Sequence, residues 1–215
     1  MVYRKTERVA AKLADNRSRI VHAARRLVAE SGFREAQIAA IAAAAGVATG
    51  SVYRYFPSKA ELFAEVLAIT SQREVEVIEA IAAAGGKAAA RLADAVRAFA
   101  SRALRARQLA YALIAEPVDP EIDRARLQYR HALGEAFGRI LADGVRTGEF
   151  PAQDLEAGAA CVVGAMLEGL VGPLAPRGDG RDEATRRVTE AIVAFCLRAV
   201  GAQTPAGDRI ARRRP

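Results

Sequence analysis

The stretch 37–62 constrains the fold most, because its spacing predicts two short helices joined by a tight turn. Apolar residues recur at i, i+3 and i+4 within 38–42, which indicates a helix with one apolar face. Gly46 then interrupts the pattern, and glycine tolerates the positive φ of a helix-ending turn. A second short helix can start near Thr49. This arrangement is a helix-turn-helix signature.

The second helix of this pair has one side that can pack and another that can read DNA. Val52 and Phe56 share a side at i, i+4, whereas Ser51 and Arg54 share another at i, i+3. Hydroxyl donors and a guanidinium suit base edges and phosphates. The following 58–61 segment has the S-x-x-E form of a capping box, so a third helix begins there, and its N-terminus suits a phosphate.

The candidate DNA contacts follow from this pattern. We expect base contacts from Thr49, Ser51 and Arg54, and phosphate contacts from Gln37, Tyr53, Tyr55 and Lys59. Gly50, on the same helix, is also counted as a DNA-binding residue.

The positive charge of the chain is confined to its first part. Residues 1–60 contain 11 Lys and Arg against 4 Asp and Glu, a net +7, and the other residues contain 21 against 21. A basic head joined to a neutral remainder suits a protein that binds a polyanion at one end. The hydrophobic fraction of 52%, with 6% aromatic residues and no sustained period-2 alternation, predicts a well-packed all-α protein.

Residues 17–67 resemble the DNA-binding domain of the TetR/AcrR transcriptional regulators. The resemblance is carried by RIVHAARRLVAESGF and AGVATGSVYRYFPSKAELF, with the Gly-Val turn, Gly50, Tyr53, Phe56, Ser58, Lys59 and Leu62 in the order and spacing of that family. Two positions depart from it: Ala36 with Gln37 replaces the usual Ser or Thr before the first motif helix, and Ala48 replaces Ser after the turn. We expect Gln37 and Thr49 to substitute there.

The resemblance implies an all-α homodimer in which an N-terminal three-helix helix-turn-helix DNA-binding domain precedes a larger C-terminal helical ligand-binding and dimerisation domain. We place the first domain at 1–62, the second at 63–203 and a disordered tail at 204–215. Within the first, residues 1–15 are expected to form a flexible basic arm or a frayed helical extension.

Apolar stripes and end signals predict six helices in the larger domain, over about 59–84, 91–107, 109–115, 120–145, 154–170 and 182–200. The resemblance implies that 154–170 and 182–200 form the four-helix interface of the dimer. Their many small residues also fit the alternative of tight packing within one subunit. Cys161 and Cys196 lie in apolar stretches and are expected to be buried, unreactive thiols, with redox sensing as the alternative.

The sequence contains few candidate catalytic residues. It contains no metal-ligand spacing, no phosphate-cradling loop and no nucleophile elbow, so we expect no enzyme activity, no metal and no cofactor. The resemblance implies instead a small, largely apolar effector held by a subset of Phe99, Arg102, Tyr111, Tyr129, His131, Phe137 and Met166.

The sequence predicts a cytoplasmic protein without a membrane segment, and the resemblance implies a ligand-responsive repressor that binds double-stranded DNA at a palindromic operator. Two other classes remain open. A helical enzyme would hide its site in the cavity of the larger domain, and a nucleoid-like protein would bind DNA without regard to sequence.

Overall fold

Helices form the regular structure of the described residues, 2–175 and 182–202 of this computed structural model, with side chains described from Ala10 onward except at Asp182. They are α1 (Val2–Glu35), α2 (Ile38–Ala45), α3 (Thr49–Tyr55), α4 (Lys59–Ala83), α5 (Ala88–Arg105), α6 (Arg107–Ile114), α7 (Pro120–Arg146), α8 (Leu155–Leu174) and α9 (Asp182–Ala199). The all-α prediction is confirmed. The predicted tail at 204–215 lies outside the described residues.

Helix α1 is longer than the sequence pattern indicated. Of the two expectations for residues 1–15, the structure has the helical extension, because α1 continues back to Val2. Near its other end, Gly32 adopts φ 84° and ψ 176°, which interrupts the helical path before Phe33. The positive φ explains why glycine stands at this bend.

A smaller core joins α1, α2, α3 and the start of α4, and we call these elements the head. Ile20, Ile41, Val52 and Leu62 are at most 1% exposed within it. The same core includes residues of α6 and α7, namely Leu109, Ala112, Leu113 and Ile122. Packing therefore continues across the boundary predicted at 62, and that boundary stays a prediction.

A larger core occupies the bundle of α4 to α9. Helix α4 takes part in both cores, since Leu67 belongs to the smaller one and Val75 and Ile78 to the larger one. Helix α7 packs against α4 on one side and α8 on the other, and α9 packs against α5. We refer to α4–α9 as the larger bundle.

Local hydrogen bonds explain where several helices begin. Helix α5 starts at Ala88, before the predicted 91, because the Glu149 carboxylate accepts the amide hydrogens of Ala88 and Ala89 at 2.9 and 3.2 Å. The bond from Ala88 is the largest cause that lowers the pKa of Glu149. Helix α7 starts at Pro120 as predicted, although the Asp119 side chain makes no capping bond.

One of the two cysteines of the larger bundle differs from expectation. Cys161 is exposed, because α8 turns Val162 and Val163 toward the core and leaves Cys161 on its outer face. Cys196 is buried as predicted, and burial raises the pKa of its thiol to about 11. On α5, Arg91 is buried and its Nη2 donates to Asp143 Oδ2 at 3.0 Å.

Candidate nucleic-acid interface and effector cavity

The turn between α2 and α3 is held by backbone geometry and one arginine. Gly46 adopts φ 66° and ψ 38°, and Val47 N donates to Ala42 O at 3.0 Å. Arg19 Nη2 donates to Ala45 O at 2.6 Å, beside the position that a Cβ on residue 46 would occupy. Glycine at this turn therefore meets both a dihedral and a steric requirement.

Helix α3 is anchored by its inner face. Val52 and Phe56 are 1% and 3% exposed in the smaller core. The Arg17 guanidinium lies 4.9 Å from the centroid of the Phe56 ring and donates to Glu65 at 2.7 Å. This hydrogen bond to Glu65 is the main cause that raises the pKa of Arg17. The inner face thus links α3 to both α1 and α4.

The outer face of α3 presents most of the predicted base readers to solvent. Thr49, Tyr53 and Arg54 are exposed, and Ser51 is half-buried. Gly50 is also exposed, and a Cβ added there would meet no other atom within 4 Å. Packing within this chain therefore does not explain a glycine at that position.

The predicted phosphate-binding residues flank this surface. Tyr55 is half-buried, and its hydroxyl accepts from Asn16 Nδ2 at 3.2 Å while keeping its own proton available to donate. Lys59 Nζ donates to Arg34 O at 3.3 Å and lies 5.3 Å from the centroid of the Phe63 ring. Tyr53 and Gln37 are exposed.

The expected substitutes for the missing capping residues do not cap. Gln37 is the N-cap residue of α2, but its amide donates backward to Arg34 O at 3.3 Å and accepts no bond from that helix. Thr49 is the first residue inside α3, after the N-cap Ala48, so its hydroxyl is one position too late. By contrast, Ser58 Oγ accepts from Glu61 N at 3.0 Å, as the capping box predicts.

A small cavity of about 60 Å³ lies among α4, α5, α6 and α7. It brings together three of the predicted effector residues, Phe99, Arg102 and Tyr129. The rest of its lining comprises Thr70, Ser71, Glu74, Ala103, Ala106, Leu109, Ala110, Leu113 and Ile114.

Two hydroxyls in this lining have no hydrogen-bond partner among the described residues. They are Thr70 Oγ1 and Ser71 Oγ, on residues that are 8% and 4% exposed. A buried polar group without a partner costs about 1–3 kcal/mol. Such groups call for an explanation, and a site for a ligand is one.

The charged groups of the cavity neutralise each other. Arg102 Nε donates to Glu74 Oε2 at 2.8 Å, and Nη2 lies 2.8 Å from the same oxygen. Burial, followed by the charge of Glu74, raises the pKa of Tyr129 well above its usual value. Its phenol therefore stays protonated and neutral.

The other four predicted effector residues lie away from this cavity. His131 is two positions after Tyr129, on the opposite side of α7, and its side chain is 76% exposed with Nε2 3.6 Å from Glu135. Phe137 and Met166 are fully buried in the larger core, and Tyr111 packs against that core.

A carboxylate connects the head to the larger bundle. Glu116, just after α6, accepts the amide hydrogens of Phe33 and Arg34 at 2.9 Å each. A Cβ on residue 32 would lie 2.7 Å from Glu116 Oε2, so Gly32 also makes room for this contact. We call Phe33, Arg34, Glu116 and Arg126 the clamp.

Arg126 completes the clamp from α7. This residue is 7% exposed and donates to the carbonyls of Ala112, Leu113 and Glu116 at 2.7, 2.8 and 2.6 Å. Burial lowers the pKa of its guanidinium. Helix α6 therefore lines the cavity with Leu113 and, through its C-terminal end, holds the end of α1.

A wide groove of about 1050 Å³ runs between α7 and α8 on the surface of the larger bundle. His131 and Gly164 line it, and a Cβ added to Gly164 would meet nothing within 4 Å. On the neighbouring helix α9, Phe195 is 52% exposed. The described residues therefore leave apolar surface uncovered beside α8 and on α9.

Helix α8 is long and apolar enough to cross a bilayer by length and composition alone, with a mean hydropathy of 1.6. A core helix of a soluble protein passes the same test, and the inner face of α8 is buried against the larger bundle through Val163, Met166 and Leu170.

Sequence reasoning missed Thr70, Ser71, Glu74, Glu116 and Arg126. A signal for the first three exists, because they follow Val66 and Leu67 at helical spacing along an otherwise apolar stripe. Polar residues that continue such a stripe indicate a polar feature in a core. Nothing near Glu116 or Arg126 indicates a contact with residues 33 and 34, which lie about 80 positions away.

Sequence comparison with known proteins matches the N-terminal part of the chain. The model of the family described as bacterial regulatory proteins, tetR family, matches residues 20–66. The repressor KstR of Rhodococcus jostii (strain RHA1) is 42% identical over 65 residues, 30% of this chain and 29% of KstR. KstR of Mycolicibacterium smegmatis is 36% identical over 72 residues, 34% of this chain and 35% of that protein. The matched segments therefore span about a third of these curated relatives.

Solved structures resemble the whole fold. The structure of RolR in complex with the ligand resorcinol has a TM-score of 0.70 and 24% identity, over 90% of this chain and 91% of that one. FadR of Bacillus subtilis in complex with stearoyl-CoA has a TM-score of 0.68 and 22% identity, over 82% of this chain and 97% of that one. At these identities the likeness concerns the fold.

Proposed function

We propose that this chain, whose residues 20–66 match the model of bacterial regulatory proteins, tetR family, is a transcriptional regulator without enzyme activity, and specifically a ligand-responsive repressor. It acts in the cytoplasm as a homodimer on a palindromic operator. An effector bound in the larger bundle releases it from DNA. Residues 1–62 form the DNA-binding domain and 63–203 the effector-binding and dimerisation domain.

The observation that carries the proposal is the outward face of α3. Thr49 and Arg54 are exposed there while Val52 and Phe56 hold the helix from behind. Thr49, Ser51 and Arg54 read base edges in the major groove, which admits one helix. Tyr53, Tyr55, Lys59 and Gln37 contact phosphates on either side, and the open space at Gly50 lets the backbone approach the duplex.

A second copy of the chain covers the outer side of α8 and α9. The groove beside α8, the open space at Gly164 and the exposed ring of Phe195 suit a partner helix that packs closely. Pairing there places two recognition helices on the same side of the dimer. They then enter successive major grooves, about 34–36 Å apart.

The clamp transmits the effector signal. Helix α6 lines the cavity through Leu109 and Leu113, and Glu116 at its end holds the amides of Phe33 and Arg34. A ligand that shifts α6 therefore shifts the head. Effector binding changes the populations of a DNA-binding state and a released state. The size of this change is limited by the difference between the effector's affinities for the two states. The similar structures of RolR and FadR were solved with resorcinol and stearoyl-CoA, which supports an effector of small-molecule size in this fold.

Selection of bound duplexes from a random-sequence library, followed by footprinting, tests the proposal. We expect an inverted repeat with two protected half-sites on one side of the duplex. Binding without sequence preference would favour the nucleoid-like alternative and overturn the proposal.

The matched variant for the dimer is Gly164→Glu. Its side chain has free space in the isolated chain but adds a charge to the pairing face, so we expect a folded monomer that no longer protects two half-sites. Sedimentation or light scattering gives the oligomeric state. A wild-type monomer, or a Gly164→Glu variant that remains dimeric, would contradict the proposed interface.

A further inference from the structure

The small cavity among α4, α5, α6 and α7 contains polar groups that the protein does not use. Thr70 Oγ1 and Ser71 Oγ are adjacent on α4, line the cavity, and have no partner among the described residues. Both residues are more than nine-tenths buried. Each hydroxyl can donate one hydrogen bond and accept others.

The charge of the cavity argues against an anionic ligand. Arg102 is its only described cationic lining residue, and its charge is paired with Glu74: Nε donates to Oε2 at 2.8 Å, and Nη2 lies 2.8 Å from the same oxygen but makes no hydrogen bond of its own. A carboxylate ligand would have to displace Glu74 from this pair. The half-buried Glu74 carboxylate would then lose its charge partner, which is unfavourable.

The remaining lining favours an apolar body of limited size. Phe99, Leu109, Leu113 and Ile114 line the cavity together with three alanines and the neutral phenol of Tyr129. The cavity of about 60 Å³ is smaller than the engineered cavity of about 150 Å³ that holds benzene in another protein. A ring-sized ligand therefore has to push the lining helices apart.

We propose that this cavity binds a small uncharged molecule with an apolar ring or chain and one hydroxyl or carbonyl group, which exchanges hydrogen bonds with Thr70 and Ser71. This ligand class rests on the proposed effector response and specifies it. Since the ligand exceeds the cavity, its binding displaces α6, the helix that ends at Glu116 of the clamp.

Three probes of similar shape test the ligand class on the DNA-free protein. Phenol has the apolar ring and a hydroxyl, toluene lacks the hydroxyl, and benzoate carries a charge. We expect calorimetric titration to give an affinity for phenol about tenfold higher than for toluene, as one additional hydrogen-bonded group allows. Benzoate is expected to bind more weakly than phenol by at least the same factor.

Single substitutions test whether the two hydroxyls are responsible. Ser71→Ala and Thr70→Val each remove a hydroxyl that has no protein partner, so both variants are expected to fold with wild-type or higher thermal stability. Each should lose most of the preference for phenol over toluene. Thr189→Val is the matched control, because Thr189 is also buried on a helix but its hydroxyl donates to Thr185 O at 3.0 Å in α9.

The outcomes separate this inference from the regulatory proposal. Tightest binding by benzoate, equal binding of phenol and toluene, or no binding of phenol would each overturn the ligand class, as would an unchanged preference in both hydroxyl variants. If phenol binds as expected but leaves the affinity for the selected operator unchanged, the ligand class stands and the coupling to DNA fails.

Discussion

Polar side chains are exposed on the outward face of α3 in the head, whereas they are buried in the cavity of the larger bundle. Thr49 and Arg54 point to solvent on a helix that is held from behind by Val52 and Phe56. Thr70 and Ser71 are buried without a partner in the described chain. The face of α3 is formed without a ligand. In the cavity, the unpaired hydroxyls of Thr70 and Ser71 carry a desolvation penalty that a hydrogen-bonding ligand can remove. Loss of a side chain should therefore affect binding alone in the head, but stability as well in the bundle.

The largest expected effect lies where the two regions meet, at Arg126. In Arg126→Met, three carbonyls at the end of α6 lose a charged donor, and we expect the free energy of unfolding to fall by about 3–5 kcal/mol. Denaturant unfolding measures this loss. Arg124→Met, at an exposed position of the same helix, is the control. Equal stability of the two variants would show that the clamp does not hold the regions together.

The next largest effect is expected on DNA binding, where substitutions can distinguish base contacts from phosphate contacts. Arg54→Ala should weaken operator binding by about 1–3 kcal/mol and relax sequence preference if, as proposed, the exposed guanidinium of Arg54 on α3 reads bases. Lys59→Ala should weaken binding to all sequences alike and reduce the salt slope by about 1, as expected for a phosphate contact. Affinities on selected and scrambled duplexes at several salt concentrations distinguish them. A uniform loss in Arg54→Ala would remove Arg54 from the base readers.

The smallest effect is expected at Gly50 and has opposite signs for folding and binding. In Gly50→Ala, the added methyl meets no atom of this chain, so stability should rise by about 0.5–1 kcal/mol. Operator affinity should fall, because the methyl occupies space that the duplex backbone approaches. Gly85→Ala, at an exposed loop glycine with open space and no positive φ, is the control and should leave operator affinity unchanged. Unchanged DNA affinity in Gly50→Ala would break the contrast between the two regions.

The contrast also explains what the sequence could predict. The turn at Gly46, the start of α3 at Thr49 and the cap at Ser58 lie within a few residues of one another, so local spacing identified them. The sequence did not predict the position of a helix end that depends on hydrogen bonds to a residue distant in the chain. The start of α5 is the example, since Glu149 binds its first amides from about 60 positions away.

The cavity was only partly predictable, for the same physical reason. Its lining comes from four helices between residues 70 and 129, and no local pattern shows which side chains meet. The sequence identified Phe99, Arg102 and Tyr129, because large aromatic or charged residues are distinctive on an apolar helix. Thr70 and Ser71 were missed because small hydroxyl residues resemble ordinary helix residues, and His131 was included although it faces outward.

Helix α4 carries the two hydroxyls of the cavity and begins beside the recognition helix. Thr70 and Lys59 are separated along its axis by about 17 Å, so a tilt of about 5° around Thr70 moves Lys59 by about 1.5 Å. Hydrogen bonds to bases and phosphates tolerate only a few tenths of an ångström in length. A tilt of this size would therefore suffice to misalign the proposed reading surface with the major groove.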